Sequence, residues 1–101
     1  MMYGQHTSAF DSESLTVAAS SVGFTSATYA PSGEPPAQKV VFYVETAQVR
    51  YWTDGSAPTA SVGIIADVGD IIAVEGSSDI AGFRAIRTGG TSGVLRTIFE
   101  R

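Results

Sequence analysis

The feature that most constrains the fold of this chain is the regular interruption of its apolar runs by turn-forming residues. Short runs of β-branched and aromatic residues are separated by Gly, Pro, Ser, Asp and Thr throughout the sequence. Apolar residues do not recur at the three- and four-residue spacing of an amphipathic helix. The pattern is typical of β-sandwiches and barrels. It predicts strands at residues 15–19, 24–29, 39–46, 48–53, 62–66, 71–75, 83–87 and 94–100.

The chain is long enough for one small β domain. Its 101 residues, 44% of them hydrophobic, can bury a single core. We expect an all-β fold with less than about 10% helix, a single antiparallel β-sandwich of about eight short strands, jelly-roll-like or immunoglobulin-like in form. The sandwich is expected to span residues 14–101. Residues 1–13 are predicted to form an extended arm, either frayed or ordered against a partner through Tyr3 and Phe10.

Stretches rich in turn residues are predicted to connect these strands. Residues 30–37 hold three of the four prolines and predict a loop between sheets. Residues 54–55 end a strand, and the polar segment that follows is too long for a tight hairpin, which predicts a crossing between sheets. Residues 67–70 are predicted to be the turn of a hairpin spanning residues 62–74. Residues 88–93 are predicted to join the last two strands as a closing hairpin.

The sequence offers no clear set of catalytic or metal-binding residues. Without cysteine the chain can form no disulfide, thiolate metal site or cysteine nucleophile. The one histidine, His6, lies in the predicted arm, and the glycine-rich residues 89–93 lie between strands instead of opening a helix. Four acidic residues lack the alternate spacing of a calcium loop: Asp67, Asp70, Glu75 and Asp79. We expect them to stabilise turns, where an aspartate side chain hydrogen-bonds its own backbone. We therefore expect no catalytic residue, no cofactor and no metal, and a protein that is not an enzyme.

The charge and hydropathy of the chain argue against nucleic-acid and membrane partners. The formal net charge is −4, and the arginines are scattered from Arg50 to Arg101 instead of clustered. No apolar stretch approaches the roughly 20 residues that span a bilayer, and the first residues lack the pattern of a secretory leader. We expect a soluble protein that is made without an export signal of its own.

Adjacent isoleucines in the predicted hairpin indicate a possible interface. Ile64 and Ile65 must point to opposite faces of a strand, as must Ile71 and Ile72, and only one face can belong to the core. The other face meets either a second layer of the same domain, such as the loop at residues 30–37, or another subunit.

The strand face shared by Arg50 and Trp52 is a further candidate. Trp52 could stack on a sugar or on an aromatic residue of a partner, but the turn residues that follow favour packing at a corner. The candidate interface residues are Tyr3, Phe10, Arg50, Trp52, Ile64, Ile65, Ile71 and Ile72.

Four sequence elements follow one another in a distinctive order over about residues 38–101. The first element is RYWTDGSAPTASVG, and the second is a VGD turn with an apolar strand. The third element is FRAIRTGG, and the last is a terminal LRTIFER. This order resembles small structural proteins of tailed bacteriophages. In those proteins a strand of the form R-Y/L-x-x-D-G-x-x-P-T leads through a glycine to a G-D turn, an F-R-A-I/V-R strand and a last strand ending in a basic residue.

The resemblance implies a non-enzymatic virion component, assembled in the host cytoplasm. Its leading implication is a head decoration or cement protein at capsid lattice junctions, with the major capsid protein or other virion proteins as partners. A homo-oligomer is expected, with a trimer favoured. Neck, tail and baseplate roles fit the same resemblance. A carbohydrate-binding sandwich that uses Trp52, Tyr51 and the neighbouring loop is the competing class.

Overall fold

Two antiparallel sheets make up the described part of the chain, which is residues 7–101 of a computed structural model. The strands in this range are β1 (Ala9–Val17), β2 (Lys39–Glu45), β3 (Val49–Trp52), β4 (Ile64–Ala66), β5 (Ile71–Glu75), β6 (Arg84–Arg87) and β7 (Gly93–Glu100). Two single-turn helices, α1 (Ser26–Tyr29) and α2 (Ser77–Ala81), lie between them. The predicted all-β antiparallel sandwich is confirmed.

The two sheets are built from strands that alternate along the chain. The four-stranded sheet has the order β1-β7-β2-β5 and the three-stranded sheet has the order β4-β3-β6. The chain therefore changes sheets four times, after β2, β4, β5 and β6. The first crossing turns at Thr46, whose φ of 76° lies in the left-handed region. The last strand, β7, pairs with both β1 and β2, so the C-terminal residues are held in the middle of the sheet.

The core lies between the sheets and is built by alternate residues of each strand. On β2, Val40, Phe42 and Val44 are fully buried, whereas the residues between them point outward. Phe24 and Phe83 stack with their ring centroids 4.2 Å apart. Phe42 and Phe99 meet this pair edge-on, with centroids 5.4 Å from Phe83 and 5.5 Å from Phe24. These four rings join the two sheets.

The first strand extends into the region that we predicted to be an arm. Residues 9–13 belong to β1 and pair with β7, with an irregularity in register between Ala9 and Asp11. The prediction was wrong there because β1 is an edge strand with few core-facing residues, so its first half contains few apolar residues. Ser8 and Arg101 exchange two backbone hydrogen bonds of 3.1 Å each.

The predicted strand at residues 24–29 is wrong. Phe24 is buried in the core, but Ser26–Tyr29 form one helical turn, in which the amides of Thr28 and Tyr29 donate to the Thr25 carbonyl. The Glu13 carboxylate accepts hydrogen bonds from the amide and the hydroxyl of Thr25, at 3.0 and 2.9 Å. This tertiary contact fixes the start of the turn and overrides the strand preference of the sequence.

The predicted hairpin at residues 62–74 is also wrong, because β4 and β5 belong to different sheets. The turn between them is present: the Asp70 amide donates to the Asp67 carbonyl, and the Asp67 amide donates to the Asp70 carboxylate. However, Gly69 and Asp70 also exchange backbone hydrogen bonds with Val44 at the end of β2. These bonds draw β5 into the four-stranded sheet.

Two further connections differ from the predictions, one because it stays within a sheet and the other because it crosses between sheets. The segment after residues 54–55 does not cross between sheets, because β3 and β4 pair with each other. Residues 88–92 do cross between sheets, since β6 and β7 are in different ones. Thr88 explains the crossing, because its amide and hydroxyl both donate to the carbonyl of Gln48 in the three-residue link before β3.

Candidate partner interface

The outer surface of the four-stranded sheet carries exposed apolar side chains. Val41 and Tyr43 alternate with the buried residues of β2 and so point away from the core. Their cross-strand neighbours include Ile98 on β7 and Ile71 on β5. Ile71 is 72% exposed, Ile98 47% and Tyr43 39%. We call this surface, formed by Val41, Tyr43, Ile71 and Ile98, the four-stranded face.

A hydrogen-bonded arginine borders this apolar area. The Arg96 guanidinium donates from Nε to Glu45 Oε1 at 3.1 Å and from Nη1 to Ser14 Oγ at 2.7 Å. Arg96 therefore connects the outward side chains of β1, β7 and β2. The groove beside it has a volume of about 550 Å³ and is lined by Ser12, Tyr43, Ile71, Arg96 and Ile98, among others.

A second exposed apolar surface lies along β4, which pairs only with β3 among the described residues. Ile64 pairs with Tyr51 on the core side of the sheet, but it is 47% exposed because β4 is an edge strand. Val62 precedes it and is 56% exposed, and Val68 follows it and is 55% exposed. We call Val62, Ile64 and Val68 the β4 edge.

The outer surface of the three-stranded sheet combines apolar and cationic side chains. Arg50 lies opposite Ile65 on β4 and Ile86 on β6, and Trp52 lies opposite Arg84. Ile65 is exposed and the other four residues are half-buried. We call these five residues the three-stranded face.

Arg50 also organises the long connection between β3 and β4. Its Nε donates to the Ala60 carbonyl at 3.2 Å and its Nη1 donates to the Gly63 carbonyl at 2.8 Å. At the start of this connection, hydrogen bonds from Ser56 lower the pKa of the Asp54 carboxyl, the backbone amide acting most strongly. These contacts hold a connection within one sheet, and not the corner between sheets that was predicted for this segment.

The predicted interface residues divide among these surfaces. Ile71 points outward, and Ile72 packs against the core. Ile64 and Ile65 are both exposed, on the β4 edge and the three-stranded face.

The two aromatic residues proposed as arm anchors have different outcomes. Tyr3 lies outside the described residues. Phe10 is half-buried on β1, with the Arg101 guanidinium carbon 4.0 Å from its ring centroid. Phe10 is therefore used within the fold and does not project from a free arm.

Sequence reasoning missed Val41, Tyr43 and Ile98 as surface residues. The signal that could have found them is the spacing in KVVFYVE, where Val41 and Tyr43 fall on the face opposite Val40, Phe42 and Val44. In a run of consecutive apolar residues, alternation alone does not tell which face is the core.

Tyr51 faces the core and not the solvent side of its sheet. Its ring packs against Phe42 and Phe83, with centroids 5.9 and 5.6 Å away. Burial, assisted by the negative charge of Asp70, raises the pKa of the Tyr51 phenol. An aromatic platform on the outer surface of β3 would therefore consist of Trp52 without Tyr51.

The described residues contain no arrangement that points to a metal site or a membrane-spanning helix. Within residues 7–101, no three or more His, Asp or Glu side chains are grouped as metal ligands would be. In the same range, neither helix has the length and hydropathy required to cross a bilayer.

Three comparisons with known proteins give no match to this chain. No protein-family model matches the chain. Neither the search of curated proteins nor the search of solved structures finds a match.

Proposed function

We propose that this chain is a non-enzymatic structural protein of a tailed bacteriophage virion, which docks on the head lattice as a decoration or cement protein. The sequence order over about residues 38–101 is the basis for the virion assignment. The observation that carries the docking role is the presence of two separate exposed apolar surfaces on one small sandwich, the four-stranded face and the β4 edge. Neck, tail and baseplate positions remain alternatives within the same virion.

Two apolar surfaces suit a protein that contacts its neighbours on more than one side. Fully burying one isoleucine stabilises a complex by about 1.5–3 kcal/mol. Ile71 and Ile98 on one surface and Ile64 on the other could therefore contribute a meaningful part of a docking energy. A decoration protein needs contacts both to the lattice and to adjacent copies, and two surfaces can meet both needs.

The small size of the domain also favours docking. A sandwich of 101 residues buries a modest share of its surface, so its stability is only about 5–10 kcal/mol. Binding to a lattice adds stability to the folded state alone. A virion protein of this kind would be more resistant to unfolding on the particle than in solution.

Adding purified protein to particles that lack it tests the proposal. The phage whose genome encodes this chain would be propagated without the gene, and heads and tails would be separated by gradient sedimentation. We expect the added chain to sediment with heads. Sedimentation with tails alone would assign it to the tail, and failure to bind any particle, together with its absence from wild-type particles by mass spectrometry, would refute the virion proposal.

Point variants identify the surface that docks. Ile64→Asp and Ile71→Asp each introduce a charge into one apolar surface and should reduce the amount of chain bound per particle at least tenfold for the surface in contact. Ala27→Asp, an exposed position on α1, introduces the same charge away from both surfaces and should bind like the unmodified chain. Equal binding by all three variants would rule out both surfaces as the docking site.

A further inference from the structure

We propose that copies of this chain associate head to tail, with the four-stranded face of one copy against the three-stranded face of the next. The partner in this contact is a second copy of the same chain. The inference concerns self-association in solution and does not depend on the virion assignment.

The two sheets carry opposite charge. The strands of the four-stranded sheet contain five carboxylates and two cationic residues, a formal charge of −3. The strands of the three-stranded sheet contain three arginines and no carboxylate, a formal charge of +3. Contacts between unlike sheets are therefore attractive, whereas contacts between like sheets bring together charges of the same sign.

The outward-pointing residues keep the sign of this difference but reduce it: those of the four-stranded sheet have a formal charge of −1, and those of the three-stranded sheet have +2 from Arg50 and Arg84, since Arg87 pairs with buried Val49.

The outward positions of β2 include Lys39 and Glu45, which alternate with its buried residues. Glu75 and Glu100 lie opposite Lys39, and Arg96 lies opposite Tyr43, so these three side chains also point outward. Arg96 is already paired with Glu45. The surface around the four-stranded face therefore has an excess of negative charge.

The arginines of the three-stranded face are not neutralised within the fold. Arg50 donates to two backbone carbonyls and Arg84 donates to the Ser21 hydroxyl at 3.1 Å. Within residues 7–101 neither makes a salt bridge. Neither positive charge is compensated by a carboxylate within this range, and Arg84 is the less constrained of the two, since residues 60–63 hold the Arg50 guanidinium.

Apolar side chains accompany the charges on both sides of the proposed contact. The four-stranded face offers Tyr43, Ile71 and Ile98, which are exposed. The three-stranded face offers Ile65, which is exposed, with half-buried Trp52 and Ile86 beside it. An apolar centre with unlike charges around it is the usual arrangement of a specific interface.

The size of the contact predicts weak association in solution. The smaller sheet limits the contact: its three strands, about 4.8 Å apart and each of about four residues at about 3.3 Å, cover a patch of roughly 200 Å². This is below the about 800 Å² per partner of a standard interface. We expect a dissociation constant of about 0.1–1 mM, which would be strengthened wherever copies are held side by side.

The geometry of the contact also predicts the form of the assembly. The two sheets pack face to face, so their outer surfaces point in nearly opposite directions. A three-membered ring would need these surfaces to be steeply inclined toward each other. Head-to-tail contact therefore gives open chains or large rings, and not the trimer favoured by the sequence resemblance.

Charge reversal tests the proposal by sedimentation velocity and light scattering over a concentration series to about 1 mM. Glu75→Arg and Arg84→Glu should each weaken association at least tenfold. An equimolar mixture of the two variants should recover it, because each kind of copy then meets opposite charge on the other. Added salt should weaken association of the unmodified chain.

Controls and contrary outcomes make the test decisive. Asp79→Arg changes charge on α2, outside both faces, and should associate as the unmodified chain does. If a reversal variant does not fold, Glu75→Gln and Arg84→Gln should give smaller reductions in the same direction. A defect in Glu75→Arg but not in Arg84→Glu would indicate like-face pairing and overturn the proposal, as would a closed trimer or a chain that stays monomeric at about 1 mM.

Discussion

At the scale of single residues, the aromatic cluster carries much of the packing between the sheets. Phe83 is fully buried at its centre, stacked on Phe24 and in edge contact with Phe42. Phe83 immediately precedes β6, whereas Phe42 is on β2, so the contact joins residues from opposite sheets. A side chain in this position stabilises the association of the sheets as well as its own strand.

Replacing Phe83 by Ala should therefore lower the free energy of unfolding by about 3–5 kcal/mol, as expected for a fully buried aromatic residue. Phe10→Ala is the matched control, because Phe10 is half-buried beneath Arg101 and should cost less than about 2 kcal/mol. Urea unfolding followed by fluorescence or circular dichroism measures both. Equal losses for the two variants would contradict the central position of Phe83.

Tyr51 predicts a dependence of stability on alkaline pH. Its pKa is raised in the folded state by burial and by Asp70, so folding favours the neutral phenol. The unfolded chain loses this proton near the ordinary tyrosine pKa of about 10, whereas the folded chain retains it to higher pH. The contribution to stability is therefore complete below the unfolded pKa of about 10 and is lost as the pH rises from that value through the higher pKa of the folded state.

The variant Tyr51→Phe removes this titration. Relative to the unmodified chain, the variant should gain free energy of unfolding as the pH rises above about 10, while the difference stays constant well below that pH. Urea unfolding of both proteins across this pH series measures the effect. Parallel pH profiles would show that the Tyr51 phenol does not retain its proton on folding.

At the scale of elements, the end of α2 approaches the connection after β3 closely. The Gly55 amide donates to the Gly82 carbonyl at 3.0 Å. A Cβ atom at Gly82 would lie 2.6 Å from the Thr53 carbonyl oxygen and 3.0 Å from the Gly55 nitrogen. Both are backbone atoms, so the elements would have to separate to accept a side chain.

We therefore expect Gly82→Ala to destabilise the fold by about 1–3 kcal/mol through overpacking. Gly89→Ala is the control, since a Cβ at Gly89 meets no atom within 4 Å. That variant should change stability by less than about 0.5 kcal/mol. Thermal unfolding of the two variants makes the comparison, and a neutral Gly82→Ala would mean that this contact yields without cost.

The sequence predicts individual elements better than their connections. β2, β5 and β7 each lie within or close to their predicted ranges, because alternate residues of these runs face the core. The connection between β4 and β5 was mispredicted, since the sequence of a tight turn such as residues 67–70 is the same whether or not its flanking strands pair. The outcome depended on two hydrogen bonds with Val44, which is distant in sequence: the Gly69 amide donates to the Val44 carbonyl, and the Val44 amide donates to the Asp70 carbonyl.

At the scale of the whole molecule, the sandwich could be predicted but its surfaces only in part. Short apolar runs separated by turn residues predict two packed sheets without naming the strand order. Ile71 was identified because its neighbour Ile72 must face the other way. The sequence does not predict that Ile71, Tyr43 and Ile98 share one face, because this depends on the cross-strand register of β5, β2 and β7.

The four crossings between sheets affect how this protein unfolds. β6 of the three-stranded sheet is held in sequence between β5 and β7 of the other sheet, so neither sheet can be completed while the other is missing. Partial unfolding that releases one sheet intact is therefore disfavoured, and the molecule should lose its structure in a single cooperative step. A protease would then encounter either the closed sandwich or an open chain, with no stable fragment in between.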